Sequence, residues 1–402
     1  MPLQRYVATV TLKPVTDGNR TFWHWESSFA TPPGRERELR EMVARDVYEA
    51  GFANLRRHLQ QGADLRTPRS APLPAALPLP TRRIVLLGYG GADQLTTIDD
   101  EVAAPGPGEV RIRQRAIGVN FIDVYLRRGW IPAMLQPGGT PGMEAAGSVL
   151  DVGAGVTGLL PGDRVACIGP VPGAYCSVRT VSADGVVRLP AAVEDEAAAA
   201  LLLKGLTAHY LVHDLGRVIR GTRLLVHAAA GGVGLLVCAW ARRLGATVIG
   251  TVSSEAKARI AREHGCEHVI VTRDYRFADA VQATCGGADV VIDGLGDAAF
   301  DENLAALAPC GHWISLGQAS GALRAIDANL LVHKSLSFSR PVVFAYIATR
   351  QALAARAESL WQALADGAIK LPPIERHALD AAAQAHARLE SRATVGALVL
   401  VA

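Results

Sequence analysis

Between Arg223 and Val252 the chain reads RLLVH, then AAAGGVG, then LLVCAWARRLGATVIGTV: an apolar strand, a glycine turn, a helix and a second strand. Within it, Ala229-x-Gly231-x-x-Gly234 has the spacing of a dinucleotide-binding turn whose first glycine is replaced by alanine, a residue small enough for the same bend. Gly231, Gly232 and Gly234, with Val233 between them, let backbone N–H groups approach a pyrophosphate at the positive end of the following helix. Glycine triplets serve many turns that bind nothing, but here the flanking strand, helix and strand supply the context the motif requires. By hydropathy the same run, about 18 residues long, also reads as a membrane span. His227 and the glycines at its centre favour a buried strand and turn instead.

The end of the second strand sets the choice of cofactor. A site selective for NAD places Asp or Glu there, roughly 20 residues beyond the turn, to accept from the ribose 2′-hydroxyl. This chain has Thr251, Val252, Ser253 and Ser254, then Lys257, with Arg273 further on. Without a carboxylate to repel it, a 2′-phosphate can accept from the serines and be neutralised by the cations, so NADPH is expected over NADH.

These residues need a scaffold, and 402 residues provide for two or three domains with real cores. A net charge of +3 without a basic run argues against nucleic acid as a partner. Six cysteines (167, 176, 238, 266, 285 and 310) lie scattered with no C-x-x-C pair, as reduced core residues of a cytosolic protein do. No secretory or lipidation signal is visible at Met1, so the cytoplasm is the expected compartment and no membrane span is expected.

Composition breaks once. Across Gly62–Arg82 prolines interleave with alanine and leucine, which predicts a semi-rigid extended spacer between an N-terminal piece (1–61) and the rest. In that piece YVATVTLKPV and RTFWHWESSF alternate as strands around Thr16-Asp17-Gly18-Asn19, and a long amphipathic helix follows over Glu36–Gln60. Beyond the spacer, GEVRIRQRAIGV, GDRVACIG and AYCSVRTV form a β-rich region (83–207, resumed at 341–402). It encloses helices alternating with the apolar runs TVIGTV, EHVIV, DVVIDGLG and HWISLG (208–340), the pattern of a doubly wound parallel sheet. The fold class is α/β.

The segments AIGVNFIDVYLRRG, PGMEAAGSV, GDRV, LLLKGLTAHYL, HAAAGGVG and LESRATVGALVL, in that order, resemble the zinc-independent, ζ-crystallin-like quinone oxidoreductases of the medium-chain dehydrogenase/reductase superfamily. The resemblance implies a GroES-like catalytic domain split by a Rossmann domain, assembled as a homodimer. The N-terminal hairpin and helix resemble the last part of polyketide cyclase-like START (SRPBCC) domains; on that reading Met1 lies inside a longer fused protein.

Zinc members of the superfamily carry Cys and His-Glu ligands where this chain has Asn120 and Met143-Glu144, and a further Cys near Lys204. That set does not suit Zn²⁺, and no metal is expected. His209 and His213 have the i, i+4 spacing of a helical metal pair but no third ligand is apparent. The resemblance places Asn120, Asp123 and Tyr125 beside the nicotinamide ribose and the substrate. Tyr125 is then a donor to the oxygen that gains charge, and Lys204 a nearby positive charge. It assigns cofactor contacts to Phe121, to Thr207 and Tyr210 after Lys204, and to the glycine turn. Further contacts fall on Ser253, Ser254 and Lys257, on Thr272 and Arg273, on Gly294, and on Gly317 and Gln318. Arg340, with Ser391 and Arg392, closes over the cofactor. Relatives have tyrosine in an N-Y-R segment where this chain has Thr272. Loops at Trp130–Gly139 and Pro341–Tyr346 shape the pocket.

Without a Lewis acid the substrate must accept hydride readily, as a quinone or an enone does. An activated-alkene or enoyl reductase is the first rival, because the same site can deliver hydride to a conjugated C=C. A protein that binds NADPH or RNA with little catalysis is the second, and the near-neutral charge speaks against RNA.

Overall fold

The computed structural model describes residues 4–15, 20–30, 37, 41 and 77–402. The chain divides into two compact units, Met1–Pro74 and Ala75–Ala402. In the first, β1 (Gln4–Val15) and β2 (Arg20–Ala30) pair antiparallel, as their alternation implies. The helix expected over Glu36–Gln60, and the START-like arrangement that depends on it, lie outside the described residues except for Arg37 and Glu41, an i, i+4 ion pair at 3.0 Å.

The second unit opens with the antiparallel ladder of β3 (Leu79–Leu86) and β4 (Leu95–Val102). The spacer expected to reach Arg82 therefore ends sooner, because Leu79–Arg82 already belong to β3. Pro80 is tolerated there since its missing N–H falls at the start of a strand, where one ladder neighbour suffices.

The chain continues through β5 (Glu109–Val119), α1 (Phe121–Arg127), β6 (Glu144–Val152), β7 (Arg164–Ile168), β8 (Val178–Ser182), β9 (Val186–Arg188) and α2 (Asp195–Tyr210). Next come β10 (Arg223–Val226), α3 (Gly232–Arg243), β11 (Thr247–Val252), α4 (Glu255–Glu263), β12 (His268–Val271), α5 (Ala278–Cys285) and β13 (Ala288–Asp293). They are followed by α6 (Phe300–Ala306), β14 (Leu307–Ser315), α7 (Asn329–Val332), β15 (Ser337–Ser339), α8 (Val343–Tyr346), α9 (Arg350–Ala365), β16 (Ile374–Ala378), α10 (Ala382–Glu390) and β17 (Ala397–Val401).

Six parallel strands lie in the order β12-β11-β10-β13-β14-β15, so the order reverses beside β10, where ligands of such sheets bind. Both faces are covered: Leu224 and Val226 of β10 enter one apolar cluster, and Leu225 between them enters another with Phe300 and Trp313. The other sheet runs β16-β17-β5-β6-β7-β9, with β8 on β5. Leu398 of β17 pairs opposite Val119 of β5, so the β-rich domain closes only after the nucleotide domain is complete. α2 fills the seam: its alanines and leucines share one cluster with Ala116 and Ala166 of the β-rich sheet and Leu236 of α3.

Candidate functional site

β10 ends at Val226 and the turn bends sharply, with Ala228 at φ +49°, a left-handed conformation that costs a residue with a Cβ about 1 kcal/mol. The bend brings Gly231 to the N-cap of α3. No side chain caps this helix and its first turn carries no acid, so its leading N–H groups are left for an anion. A Cβ at Gly234 would lie 2.4 Å from the Ala228 carbonyl oxygen, so glycine there is what allows helix and turn to meet. Ala229, in the place of the first glycine, is fully buried. Gly250 of β11 makes room for it, since a Cβ there would lie 2.6 Å from the Ala229 methyl. These features fit a dinucleotide pyrophosphate.

Lys204 of α2 reaches the same corner. A Cβ at Gly232 would lie 2.7 Å from Lys204 Cδ, so the lysine stem crosses the start of α3. Its ammonium donates to Asn120 Oδ1 at 2.7 Å and lies 3.5 Å from Glu144 Oε1, which also accepts from Asn120 Nδ2 at 2.9 Å. Glu144, fully buried, was not among the expected site residues, because its segment was read only for metal ligands. Gly118 keeps space for it: a Cβ there would lie 2.2 Å from Glu144 Oε1. A buried carboxylate shared by an ammonium and an amide is a compensated charge, and the carboxylate fixes which way Asn120 faces.

Asp123 is placed differently from the expectation. It is wholly buried and accepts from Asn120 N at 2.8 Å, closing the capping box of α1. It also accepts from Tyr175 Oη at 3.1 Å, and Tyr175 lies 3.0 Å from His386 Nε2. Burial pushes the Asp123 carboxyl up to about 7 and holds His386 down at about 3. Asp123 therefore faces the interior and orders α1 rather than touching a substrate. The reason is that α10 packs over it, anchored by Arg127 to Glu390 at 2.8 Å.

Tyr125 faces the cleft. Its hydroxyl accepts from Gln318 N at 2.9 Å, and burial raises its pKa, so it keeps its proton. Gln318 is held in turn by Arg340, which also donates to Ser315 Oγ at 2.9 Å. Gly317 N bonds to Asp293 O at 3.4 Å and Ala319 N to Gly294 O at 3.1 Å, which joins the ends of β13 and β14. A cavity of about 180 Å³ here is lined by Phe121, Tyr125, Arg128, Trp130, Gln318 and Arg392, with Trp130 stacked on Tyr125 at 5.2 Å. A larger cavity of about 1070 Å³ lies among Arg113, Asp195, Leu364 and Arg376 and includes none of the expected site residues.

At the end of β11, Ser254 caps α4 by accepting from Lys257 N. Lys257 Nζ donates to the Arg392 carbonyl, and Arg273 Nε donates to Ser253 O at 3.2 Å. The Ser391 hydroxyl donates to Arg388 O at 2.6 Å. Thr207 and Tyr210 are buried in α2, Tyr210 stacked on Tyr346 at 4.1 Å. His209 Nδ1 accepts from Arg356 at 2.9 Å, so that ring nitrogen serves a guanidinium.

Residues 106–219 match the alcohol dehydrogenase GroES-like domain family and residues 232–358 the zinc-binding dehydrogenase family. Among curated proteins, the quinone oxidoreductase of Pseudomonas aeruginosa is 42% identical over 324 residues, spanning 80% of this chain and 99% of that protein. The 2-haloacrylate reductase of a Burkholderia species is 40% identical over 78% of this chain and 96% of its own length. The solved structure of Escherichia coli quinone oxidoreductase complexed with NADPH matches with a TM-score of 0.77 at 39% identity, covering 80% of this chain and 100% of its own. A zinc centre does not fit: Asn120, Met143 and Lys204 are no donor set for Zn²⁺, and the Lys204 ammonium already stands against Asn120 and Glu144. Over about four-fifths of its length the chain belongs to the zinc-independent quinone oxidoreductases of the medium-chain dehydrogenase/reductase superfamily.

Proposed function

We propose that the chain is an NADPH-dependent quinone reductase. The observation that carries this reading is the meeting of an uncapped, glycine-cradled helix N-terminus with the Lys204–Asn120–Glu144 set, which is polar and charge-compensated but unsuited to zinc. Bound in reduced form, the nicotinamide supplies the hydride equivalent. The N–H groups of Gly232, Val233 and Gly234 hold the pyrophosphate. Tyr125 offers its proton toward the substrate oxygen, and the Lys204–Glu144 pair holds the Asn120 amide in one orientation. Two electrons and two protons turn the quinone into the hydroquinone, and the buried walls around Asn120 keep water from competing.

A second reading has its own support. The Burkholderia relative is named for reducing a 2-haloacrylate, and a site without a metal can serve a conjugated alkene or enone equally. A cytoplasmic homodimer belongs to the same proposal, on family analogy. Among the described residues no helix is long and apolar enough to cross a membrane. Steady-state oxidation of NADPH and NADH with 1,4-benzoquinone, a naphthoquinone and a 2-alkenal decides between the readings. We expect quinone-dependent turnover with NADPH at least about tenfold more efficient than with NADH, equivalent to about 1.4 kcal/mol. Turnover confined to the alkenal would replace the quinone assignment with the second reading.

A further inference from the structure

His227, the polar residue that ends the apolar run RLLVH, takes no part in the function proposed above. It follows β10 directly and precedes Ala228, where the backbone bends. The imidazole is buried, packed on the Phe277 ring with centroids 4.6 Å apart, and burial pulls its pKa below the usual value, so the ring is neutral. Both ring nitrogens have buried partners. Nδ1 lies 2.8 Å from Thr251 Oγ1 and Nε2 lies 2.7 Å from Asn303 Oδ1. Asn303 Nδ2 in turn donates to Asp293 Oδ2 at 3.2 Å. Thr251, His227, Asn303 and Asp293 thus form one chain beneath the carboxyl ends of β11, β10 and β13, and each is 4% exposed or less.

The donors in this chain all run one way. Asp293 accepts from the Trp313 indole N–H at 3.2 Å and from Leu295 N and Gly296 N at 2.7 and 3.3 Å. Groups that can only donate already surround its carboxylate, so Asn303 must turn its NH2 toward Asp293 and its oxygen toward His227. That oxygen needs the proton on Nε2, which leaves Nδ1 bare to accept from the Thr251 hydroxyl. The other tautomer would set a bare Nε2 against the amide oxygen, or flip the amide and set its oxygen against the carboxylate. Buried, either arrangement is costly.

What Asp293 holds is the wall of the cleft. Its Oδ1 fixes the turn at residues 294–296, and that turn carries the next one: Ala319 N donates to Gly294 O at 3.1 Å and Ser320 N to Leu295 O at 2.7 Å. Gln318 N, in the same stretch, is the donor that meets Tyr125. Residues 318–321 line the small cavity beside Tyr125, whereas His227 does not touch it.

We infer, on the reductase reading above, that His227 is a positioning residue for the reduction: in its Nε2–H tautomer it orients the Asn303 amide, through it the Asp293 carboxylate and the turn at 294–296, and so the place of Gln318 against Tyr125. The residue acts from beneath the cleft without lining it.

Thr251→Val keeps the shape of the side chain and removes the hydroxyl that selects the tautomer, while Thr251→Ser keeps the hydroxyl. Nitrogen NMR of the isotope-labelled full chain, with no electron acceptor present, reads the ring directly. In the wild type and in Thr251→Ser, His227 should show a protonated Nε2 and a bare Nδ1. In Thr251→Val the two tautomers should mix, and the Gln318 amide resonance should move with them. Steady-state kinetics with NADPH and 1,4-benzoquinone should then show the kcat of Thr251→Val down about tenfold, the KM for the quinone within about twofold, and Thr251→Ser close to the wild type. A wild-type ring protonated on Nδ1, a Gln318 resonance that stays in place while the tautomers mix, or an equal loss of kcat in both Thr251 variants would overturn the role of His227. A wild type without quinone turnover would sink the quinone reading instead, and the NMR arm would still decide whether His227 sets Gln318.

Discussion

Asp123 shows how a polar residue can matter to a site it does not line. Its carboxyl, pushed up to about 7 by burial, caps the helix that begins with Asn120 and so sets the amide that Lys204 and Glu144 share. Because the folded carboxyl binds its proton more tightly than the usual value of about 3.9, the folded state holds more protons between about pH 4 and 7. The contribution of this one group to stability therefore falls as pH rises through that window and levels off above it, with a slope of up to about 1.4 kcal/mol per pH unit. Asp123→Asn keeps the acceptor oxygen for Asn120 N and Tyr175 but cannot ionise. The difference in urea-denaturation free energy between this variant and the wild type should change by that slope between about pH 4 and 7; a difference independent of pH would mean that the proton is held elsewhere. His386, held down at about 3, contributes in the opposite sense, because below about pH 6.5 the unfolded imidazole binds a proton that the folded one does not, so its share of stability rises with pH between about 3 and 6.5.

At the scale of elements, the glycines around α3 separate packing from binding. The Cβ of Gly234→Ala would meet a backbone oxygen at 2.4 Å, and neither helix nor turn can yield, so a loss of about 2 kcal/mol in stability is expected. The Cβ of Gly232→Ala would meet the Lys204 stem at 2.7 Å and the Gly396 carbonyl at 3.0 Å, and the stem can swing away. Thermal melts should show Gly234→Ala well below the wild type and Gly232→Ala close to it. NADPH titration should show Gly232→Ala binding several-fold more weakly because Lys204 is displaced; the reverse order of the two melts would refute this division. The alternation of strands and helices and the spacing of the turn were legible in the sequence, because period and glycine placement are local. Whether Asp123 faced the cleft or the interior was not. That depends on α10, whose Glu390 holds Arg127 from 263 positions away. Glu144 was missed for the same reason, since its partner Lys204 is brought to it by the fold, 60 positions along the chain.

For the molecule as a whole, the glycine turn, the Lys204 set, the Tyr125 cleft and the Lys257 cluster all belong to the unit Ala75–Ala402. The sequence placed the end of the spacer at Arg82, whereas the structure begins β3 at Leu79 and uses the chain even before it. The Leu77 carbonyl accepts from Arg111 Nη1 at 2.8 Å, and Arg111, only 2% exposed, is otherwise neutralised by Asp151. Two deletions that look alike on the page should therefore behave differently. Removing residues 1–74 leaves β3 and Leu77 in place, and kcat, KM and Tm are expected to match those of the full chain. Removing residues 1–82 takes away half of β3, the buried Thr81 hydroxyl that donates to Val178 O at 2.8 Å, and an acceptor of a buried guanidinium. An unsatisfied buried donor costs about 1–3 kcal/mol, so with the lost ladder bonds the deficit should be several times the usual effect of a surface change. Urea midpoints and quinone turnover of the two truncations decide it. Loss of turnover in the shorter deletion would show that the first 74 residues contribute to catalysis, whereas equal stability of both would mean that β3 is dispensable to the β-rich domain.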